Sequence, residues 1–545
     1  FQAEDGIRDC LLSRGLGDVY KRQLCIICNC LYSSAPRNFF EPDLRAPRVM
    51  WRAWAQRART CATRASNADA RTRAVLALGS NQGDRVGLFR EAFVRLRRDL
   101  GFELDAHSSL YETAPAYVED QDKFLNAACV GTFPEEIGGD PLALLDGLKK
   151  IEAALGRDFG TRRYGPRPMD LDIIFHGRGG HSCERLVVPH ERYDERPFVL
   201  APLADLTGSV KAAAATERRD ATTDGLLHAQ MIWEGMGEEK SIMESANIVR
   251  VMPLKDGLWR WGRQTMVMGI LNVTPDSFSD GGSYVDVNVA LNHAREMVAA
   301  GATIIDVGGQ STRPGATRVS PEEESARVIP VISALAKEWR HRDDAYISVD
   351  TFYGSVASAA ADAGVDIIND VSGGSWDPAM LPTVADMKKP LPYVVMHVRG
   401  DPSNMQNASN TTYEGHVCDE VGDGLLQTAR RCIQHGIEPW RLWIDPGIGF
   451  AKTSRANVEI LRDLPRVRSR LAPLGGAVMN APMLVGASRK RFLGELSGKS
   501  EAGERDAASV AALVAAVHGG ADVIRVHNVV DSASAAAVSD ALWRM

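Results

Sequence analysis

No stretch of this 545-residue chain approaches the ~20 consecutive apolar residues that a helix needs to cross a bilayer. Positive charge is not in excess either. Lys and Arg number 63 against 70 Asp and Glu, a net of −7, which provides no basic field for nucleic acid. Cysteine is sparse: nine residues, four of them (Cys10, Cys25, Cys28, Cys30) within the first thirty positions. They form no regular framework, which points to a reducing compartment. Cys25-x-x-Cys28-x-Cys30 resembles half a metal site, but no second ligand pair follows and zinc needs a full set. What remains is ordinary for a globular protein, 45% hydrophobic and 24% charged, and long enough for two or three domains.

The N-terminal region stands apart. Phe1–Gln23 has no periodicity and reads as artefactual sequence, and the first Met is Met50. From there Arg52, Arg57, Arg59, Arg64, Arg71 and Arg73 are interleaved with Ala, Trp, Thr and Ser, and Asp69 is the only acid before Asp84. Such an Arg-rich, acid-poor segment suggests an organelle transit peptide. The expectation is a leader over 1–49 and a transit peptide over 50–73. Its destination is mitochondrial, with plastid or cytoplasmic location as alternatives.

From Met266 onward, eight short apolar runs each end on a polar or glycine-rich cluster. They are Met266–Leu271, Thr303–Val307, Tyr346–Val349, Asp366–Ile368, Pro392–Met396, Leu442–Ile444, Met483–Val485 and Val523–Val526. Runs of this length suit strands buried on both faces. Amphipathic stretches such as Val285–Ala300, Pro321–Trp339 and Arg505–His518 separate them. Eight strand-helix units predict a (β/α)₈ TIM barrel with its site at the C-terminal strand ends. There lie Asn272, Thr312, Arg313, Asp350, Asn369, His397, Asp445, Ser488, Lys490, Arg525 and His527. Arg525 and His527 share a strand face by the two-residue period. Barrel anion sites favour the loops after strands seven and eight, where Ser488, Lys490, Arg525 and His527 fall. A carboxylate such as Asp350 or Asp445 suits a bidentate contact to a ring N–H and amino group. His397, standing alone, is more readily structural than substrate-binding.

Folded sequence begins near Arg73 and continues to about Leu206. Strand Val75–Leu78, helix Leu88–Leu100, strands Glu103–Tyr111 and Phe124–Phe133, helix Pro141–Leu155 and strand Asp170–Phe175 predict a ferredoxin-like α+β sandwich. Thr207–Glu239 is poorly patterned and reads as a linker or insertion. Ile248–Gln264 reads as a hairpin closing the barrel bottom. The expected division is 74–206, a connection over 207–247, and a barrel over 248–545.

Asp170 and Asp172, two residues apart on a strand, share a face. Two adjacent carboxylates suit Mg²⁺ shared with substrate phosphates. Arg157, Arg162, Arg163 and Arg167 lie just upstream on a Gly/Pro-containing loop, which suggests a polyphosphate site.

These residues carry a resemblance. Leu78-Gly79-Ser80-Asn81-x-Gly83-Asp84, Tyr111-Glu112-Thr113-x-Pro115, Gln121-x-x-Phe124-Leu125-Asn126-Ala127 and Gly165-Pro166-Arg167-x-x-Asp170-x-Asp172 resemble hydroxymethyldihydropterin pyrophosphokinase, with Pro189-His190 and Arg196-Pro197-Phe198 completing the pattern. The resemblance implies transfer of diphosphate from ATP to a dihydropterin. It implies two Mg²⁺ on Asp170 and Asp172, phosphate contacts from Arg157 and Arg167, and pterin contacts from Asn126, Phe124 and Phe198. Glu152 and His190 would line the nucleotide side. Tyr164 stands where Trp is usual, and Pro115-Ala116-Tyr117 departs from the frequent Pro-x-Gly.

The second half resembles dihydropteroate synthase through Met268–Gly282, Asp306–Gly315, Ser348–Thr351, Ile368–Asp370, Asp445–Lys452, Ser488–Lys490 and Arg525–His527. Asn528 stands where Asp is frequent. The resemblance implies condensation of a dihydropterin diphosphate with 4-aminobenzoate. Asp445, Asn369, Asp350 and Lys490 would bind pterin. Arg313, Arg525, His527 and Asn272 would hold the diphosphate, Asn272 through one Mg²⁺. Ser488, Thr312 and the loops Thr274–Tyr284 and Ser311–Ser320 would shape the aminobenzoate pocket. Partners are then small molecules, with no nucleic acid or membrane, and a homo-oligomer is expected through the barrel. Two other readings are a degenerate pterin-binding scaffold and a methyltetrahydrofolate-binding methyltransferase barrel. Intact Asp170, Asp172, Lys490, Arg525 and His527 argue against the first. The second does not need the anion clamp at Ser488–Lys490 and Arg525/His527.

Overall fold

The computed structural model describes residues 70–160, 164–209, 220–274, 287–342 and 344–544. The expected leader, the transit segment before Ala70, the Cys25–Cys30 cluster, Arg162, Arg163 and most of the Thr274–Tyr284 loop lie outside them.

The first sheet is built from β1 (Arg71–Ser80), β2 (Glu103–His107), β3 (Leu110–Thr113), β4 (Phe124–Pro134) and β5 (Asp170–His176). Strands β6 (His181–Ser182) and β7 (Val187–Val188) form a separate small ribbon. The run Glu103–Tyr111, expected as one strand, is two. Ser108 Oγ accepts from the Ala128 amide at 2.9 Å, so a side chain takes the place of a ladder bond and the chain turns between β2 and β3. Helices Arg85–Leu100 and Pro141–Ala154 cover one face, where Phe89, Leu96, Leu144 and Leu148 meet Leu76, Leu125 and Leu171. The first helix starts because Asp84 accepts from the Gly87 amide at 2.9 Å. It stops at Gly101, which adopts φ 62°.

The stretch expected to be a connection is largely structured. Helices Ala221–Gly235 and Glu239–Ser245 occupy most of it, and residues 210–219 lie outside the described set. Asp220 caps the first helix in a capping box with Thr223. Leu226, Ala229 and Trp233, spaced by three and four, bury against Val75, Phe175 and Leu203 on the sheet's second face. Helix Pro197–Ala204 shares that face. The sheet is therefore covered on both sides.

The hairpin β8 (Ile248–Leu254) and β9 (Gly257–Trp259) does two things. It extends the first sheet, giving the order β5-β1-β4-β3-β8-β9 with β2 on β4. Leu110 pairs with Val251 and Thr113 with Ile248, antiparallel. Met252 and Leu254 also reach the floor of the second unit, packing with Met268, Ile304, Val394 and Trp443.

The second sheet is parallel: β10 (Met266–Asn272), β11 (Ile304–Gly308), β12 (Tyr346–Asp350), β13 (Ile367–Asp370), β14 (Tyr393–Met396), β15 (Leu442–Asp445), β16 (Leu484–Val485) and β17 (Val523–Val526). The order β15-β14-β13-β12-β11-β10-β17-β16 is closed by a parallel bridge from Ile444 to Met483. Every expected run is a strand, with its ends shifted by at most two residues. The strands are nearly all apolar because helices such as Pro321–Glu338 and Val417–Gln434 cover the outside. Among the described residues no helix is long and apolar enough to cross a membrane.

The two halves are packed together. Trp440, just before β15, sits against Phe93 and His107 with ring centroids 5.5 and 4.7 Å away. Arg90 pairs with Glu438 at 2.9 Å and donates to the Ala385 carbonyl at 2.9 Å. Asp205 accepts from the Ser109 amide (2.8 Å), the Tyr111 hydroxyl (2.8 Å) and the Asn480 amide side chain (3.0 Å).

Candidate active sites

β5 alternates as the sequence suggests. Leu171 and Ile173 are buried in the helix-covered core, while Asp170 and Asp172 face a cavity of about 530 Å³. Phe124, Asn126, Arg157, Arg167, His190 and Phe198 line the same cavity, so among the described residues the candidates of this half meet there, except Glu152. Arg167 pairs with Asp170 Oδ2 at 2.6 Å, and Arg157 contacts the other carboxylate oxygen. Arg167 lies over the Phe124 ring (5.6 Å) and Arg196 over Phe198 (5.9 Å). Asn126 is oriented by donating to Thr113 Oγ1 at 2.8 Å.

Glu152 is a correction. It is fully buried and does not line the cavity. Its carboxylate accepts from the Leu171 amide (2.7 Å) and pairs with Lys149 (2.7 Å) and Arg157 (2.9 Å). It fixes β5 and Arg157 from behind, because it points into the helix–sheet layer. Lys149, one helical turn before it, reaches the cavity and was not singled out from the sequence. The i, i+3 Lys–Glu spacing was the available signal. Asn81 was legible only as part of a motif. It accepts from the Arg167 amide at 2.8 Å and donates to Gln121, joining the glycine turn after β1 to the arginine loop. The Tyr117–Tyr164 pair, centroids 4.5 Å apart, and Arg192 complete the rim. Tyr164 thus keeps a stacking ring where Trp is usual.

The carboxylates are pushed apart electrostatically. Burial raises Asp172, and the charge of Asp170 raises it further. Asp170 is held below the usual carboxylate range: burial acts against this, but Arg167 and Arg157 outweigh it. Among the described residues no group of three or more His, Cys, Asp or Glu could hold a metal ion. Two carboxylates on one face with open space before them fit Mg²⁺, which takes its other ligands from phosphate and water.

At the barrel's C-terminal rim, Arg525 is the hub. Its Nε pairs with Asp306 at 2.6 Å and its Nη2 with Asp350 at 2.7 Å. Asn369 Nδ2 donates to Asp306 at 3.1 Å. Asp306 is fully buried at mid-β11 and was quoted in the sequence only within a motif, without a role of its own. An Asp amid apolar neighbours was its signal. Ser488 Oγ lies 3.0 Å from His527 Nδ1 and accepts from the His527 amide. Lys490 sits over the Phe450 ring at 4.1 Å. Asp445 accepts from the Gly447 amide at 2.7 Å. Thr312 and Arg313 follow β11, Asn272 ends β10, and Arg313 is close enough for its charge to act on Lys490 and His527.

Crowded charge sets the protonation of this rim. Burial pushes Asp350 up to about 7 and Asp445 up to about 6, against the pull of nearby cations. Burial and the Arg525 charge push Lys490 down to about 8 and His527 down to about 3. His527 is therefore neutral and Arg525 carries the cationic charge of the pair. His397 is buried, with Nδ1 3.1 Å from Lys452 Nζ. Lys452 also donates to the Phe450 carbonyl at 2.9 Å and was not assigned a role from the sequence.

Residues 75–208 match the 7,8-dihydro-6-hydroxymethylpterin-pyrophosphokinase family, and residues 268–527 match the pterin binding enzyme family. The chain is 46% identical over 473 residues to a folate synthesis bifunctional protein of Arabidopsis thaliana, covering 86% of this chain and 95% of that one. A mitochondrial folate synthesis bifunctional protein of Pisum sativum is 46% identical over 472 residues, 86% of this chain and 89% of its own. A solved HPPK-DHPS in complex with substrates shares the fold, with TM-score 0.65, 21% identity, and coverage of 87% of this chain and 99% of that one. The chain belongs to the family of bifunctional folate-synthesis proteins, a pterin pyrophosphokinase followed by a pterin-binding barrel.

Proposed function

We propose that the two sites act in sequence, with the roles below resting on one observation. A paired-carboxylate cavity with two arginines occupies one half, and an arginine-centred rim of pterin-compatible acids occupies the other. The first half pyrophosphorylates 6-hydroxymethyl-7,8-dihydropterin, and the second condenses the product with 4-aminobenzoate to 7,8-dihydropteroate.

In the first site Asn126 orients the pterin edge, and Phe124 and Phe198 offer ring faces for stacking. The hydroxymethyl oxygen attacks the β-phosphorus of ATP. The bond from that phosphorus to the α-phosphate oxygen breaks, AMP leaves, and the hydroxyl proton is released. Arg157, Arg167 and His190 bind the polyphosphate as charge moves onto the leaving oxygen. Asp170 and Asp172 would hold two Mg²⁺, which supply charge neutralisation at the phosphates.

In the second site Asp445, Asn369, Asp350 and Lys490 address the pterin edge. Arg525, Arg313 and His527 take the diphosphate, and Asn272 would hold one Mg²⁺ beside it. The amine nitrogen bonds to the pterin methylene carbon, the carbon–oxygen bond breaks with its electron pair going to diphosphate, and the amine loses a proton. Ser488 and Thr312 flank the aminobenzoate side. Arg525 pairs with Asp350 at 2.7 Å, so the cation that takes the diphosphate and a carboxylate that addresses the pterin are directly linked.

Exposed Val530, Val538 and Leu542 on helix Val529–Trp543 support self-association through the barrel, which sedimentation would test. The Arg-rich segment and the relatives named mitochondrial support delivery to that organelle, which imaging of a tagged full-length protein would test. The assignment of function is tested by one assay. Dihydropterin, ATP, Mg²⁺ and 4-aminobenzoate should give dihydropteroate, and absence of either the diphosphate or the final product would reject one half.

A further inference from the structure

Behind the β11 loop lies a carboxyl group that the mechanism above does not use. Glu324, in the first turn of helix Pro321–Glu338, is fully buried. Gln310 Nε2 donates to Glu324 Oε2 in a short contact. The other two oxygens, Gln310 Oε1 and Glu324 Oε1, are both buried with no hydrogen-bond partner among the described residues. The Thr351 hydroxyl also reaches Glu324, but a carboxylate has no proton to give the Gln310 carbonyl, which stays without a donor. A carboxylic acid has one: its O–H donates to the Gln310 carbonyl while its other oxygen accepts from the same carboxamide.

The surroundings favour the neutral form. Burial pushes Glu324 up to about 7, and Asp350 adds to this, while Thr351, Gln310 and Arg327 act against it. The approach is close enough to need glycine beside it, since a Cβ on Gly309 would lie 2.9 Å from Glu324 Cγ and 2.8 Å from Val328. A second tie runs in parallel, with Arg327 Nη1 donating to the Gly309 carbonyl at 2.7 Å. Immediately after Gln310 come Ser311, Thr312 and Arg313.

We propose that Glu324 is a positioning residue of the synthase site which, as a protonated acid paired with the Gln310 carboxamide, holds the Ser311–Arg313 turn in register for the incoming amine. The substrate assigned to that turn rests on the reading given above. An acid–amide pair has no net charge, so it can sit beside Asp350 without adding a second like charge there. It also fixes a loop that strand pairing alone leaves free.

Steady-state kinetics of the full chain, with dihydropterin diphosphate and 4-aminobenzoate varied separately, test this through three variants. Glu324→Gln supplies an amide N–H in place of the acid O–H and should stay within about twofold of the parent in both KM values. Glu324→Met and Gln310→Met each strand a buried polar partner and should raise the KM for 4-aminobenzoate about tenfold, with the KM for the diphosphate little changed. Gln310→Met removes the same pair from the loop side, so the test survives if Glu324→Met does not fold. Equal impairment of Glu324→Gln and Glu324→Met would overturn the proposal, and so would parent-like kinetics in all three. If Glu324→Gln is spared but the KM that moves is that of the diphosphate, the positioning role stands and the aminobenzoate assignment of the turn fails.

Discussion

Trp440 and His107 stack across the join between the two halves, ring centroids 4.7 Å apart at an interplanar angle of 50°. Trp440 belongs to the barrel by sequence and to the kinase core by packing, since it buries with Phe89, Leu96 and Leu110. His107 is buried and pushed down to about 4 by loss of solvent, so this contact is a neutral, apolar one. The join is thus a piece of shared core.

The halves should not separate cleanly. A fragment covering 71–206 lacks β8, the partner of β3, and loses Trp440 and the helix whose Trp233 covers the sheet's second face. It should be less stable than a fragment covering 70–261, which keeps the hairpin and helices. In the full chain Trp440→Ala should cost roughly 3–5 kcal/mol. Calorimetry should show both activities lost at one lowered temperature. Two unchanged, independent transitions would contradict this.

Asp172→Asn should leave the fold intact and reduce pyrophosphoryl transfer by a factor on the order of 10²–10³, the size of losing one charge-stabilising group. Condensation supplied with preformed dihydropterin diphosphate should continue at the parent rate. Kinase turnover close to normal at saturating Mg²⁺ would remove Asp172 from the metal site.

Replacing Arg525 by Ala strips the cation from Asp306 and Asp350 together. Leaving a buried carboxylate unpaired costs about 3–5 kcal/mol, so the variant should melt earlier as well as bind diphosphate weakly. Arg525→Ala combined with Asp306→Asn should recover stability without recovering diphosphate affinity. Recovery of both in the double variant would show that Arg525 acts only as a structural counter-ion.

Pterin binding should weaken in acid. Asp445 has its carboxyl raised to about 6 by burial, and the ligand's N–H groups need the ionised form. Above about 6 the carboxylate is present, and below it each pH unit should cost about tenfold in affinity. Asp445→Asn should bind weakly at all pH values and lose the part of the slope that sets in below about 6, keeping only that from Asp350, which burial raises to about 7. Calorimetric titration of a pterin from pH 7.5 to 5 gives the answer, and a flat profile for the parent would count against Asp445.

Sequence by itself determined the barrel and most of the chemistry. Eight β-branched apolar runs ending on polar clusters are the direct imprint of strands buried on both faces with loops at one rim. Asp170 and Asp172 had to share a face because strand side chains alternate. Local period and spacing fix such features, so they are legible residue by residue. Tertiary structure alone decided three things. It turned Glu152 from a cavity residue into a buried brace, because which side of a helix meets a sheet depends on the whole layer. It made the stretch after Leu206 part of the kinase core, because Leu226, Ala229 and Trp233 are too few to mark a helix until Phe175 supplies the surface they cover. It also placed β8 in the first sheet and its Met252 in the barrel floor, a long-range pairing that no local pattern encodes.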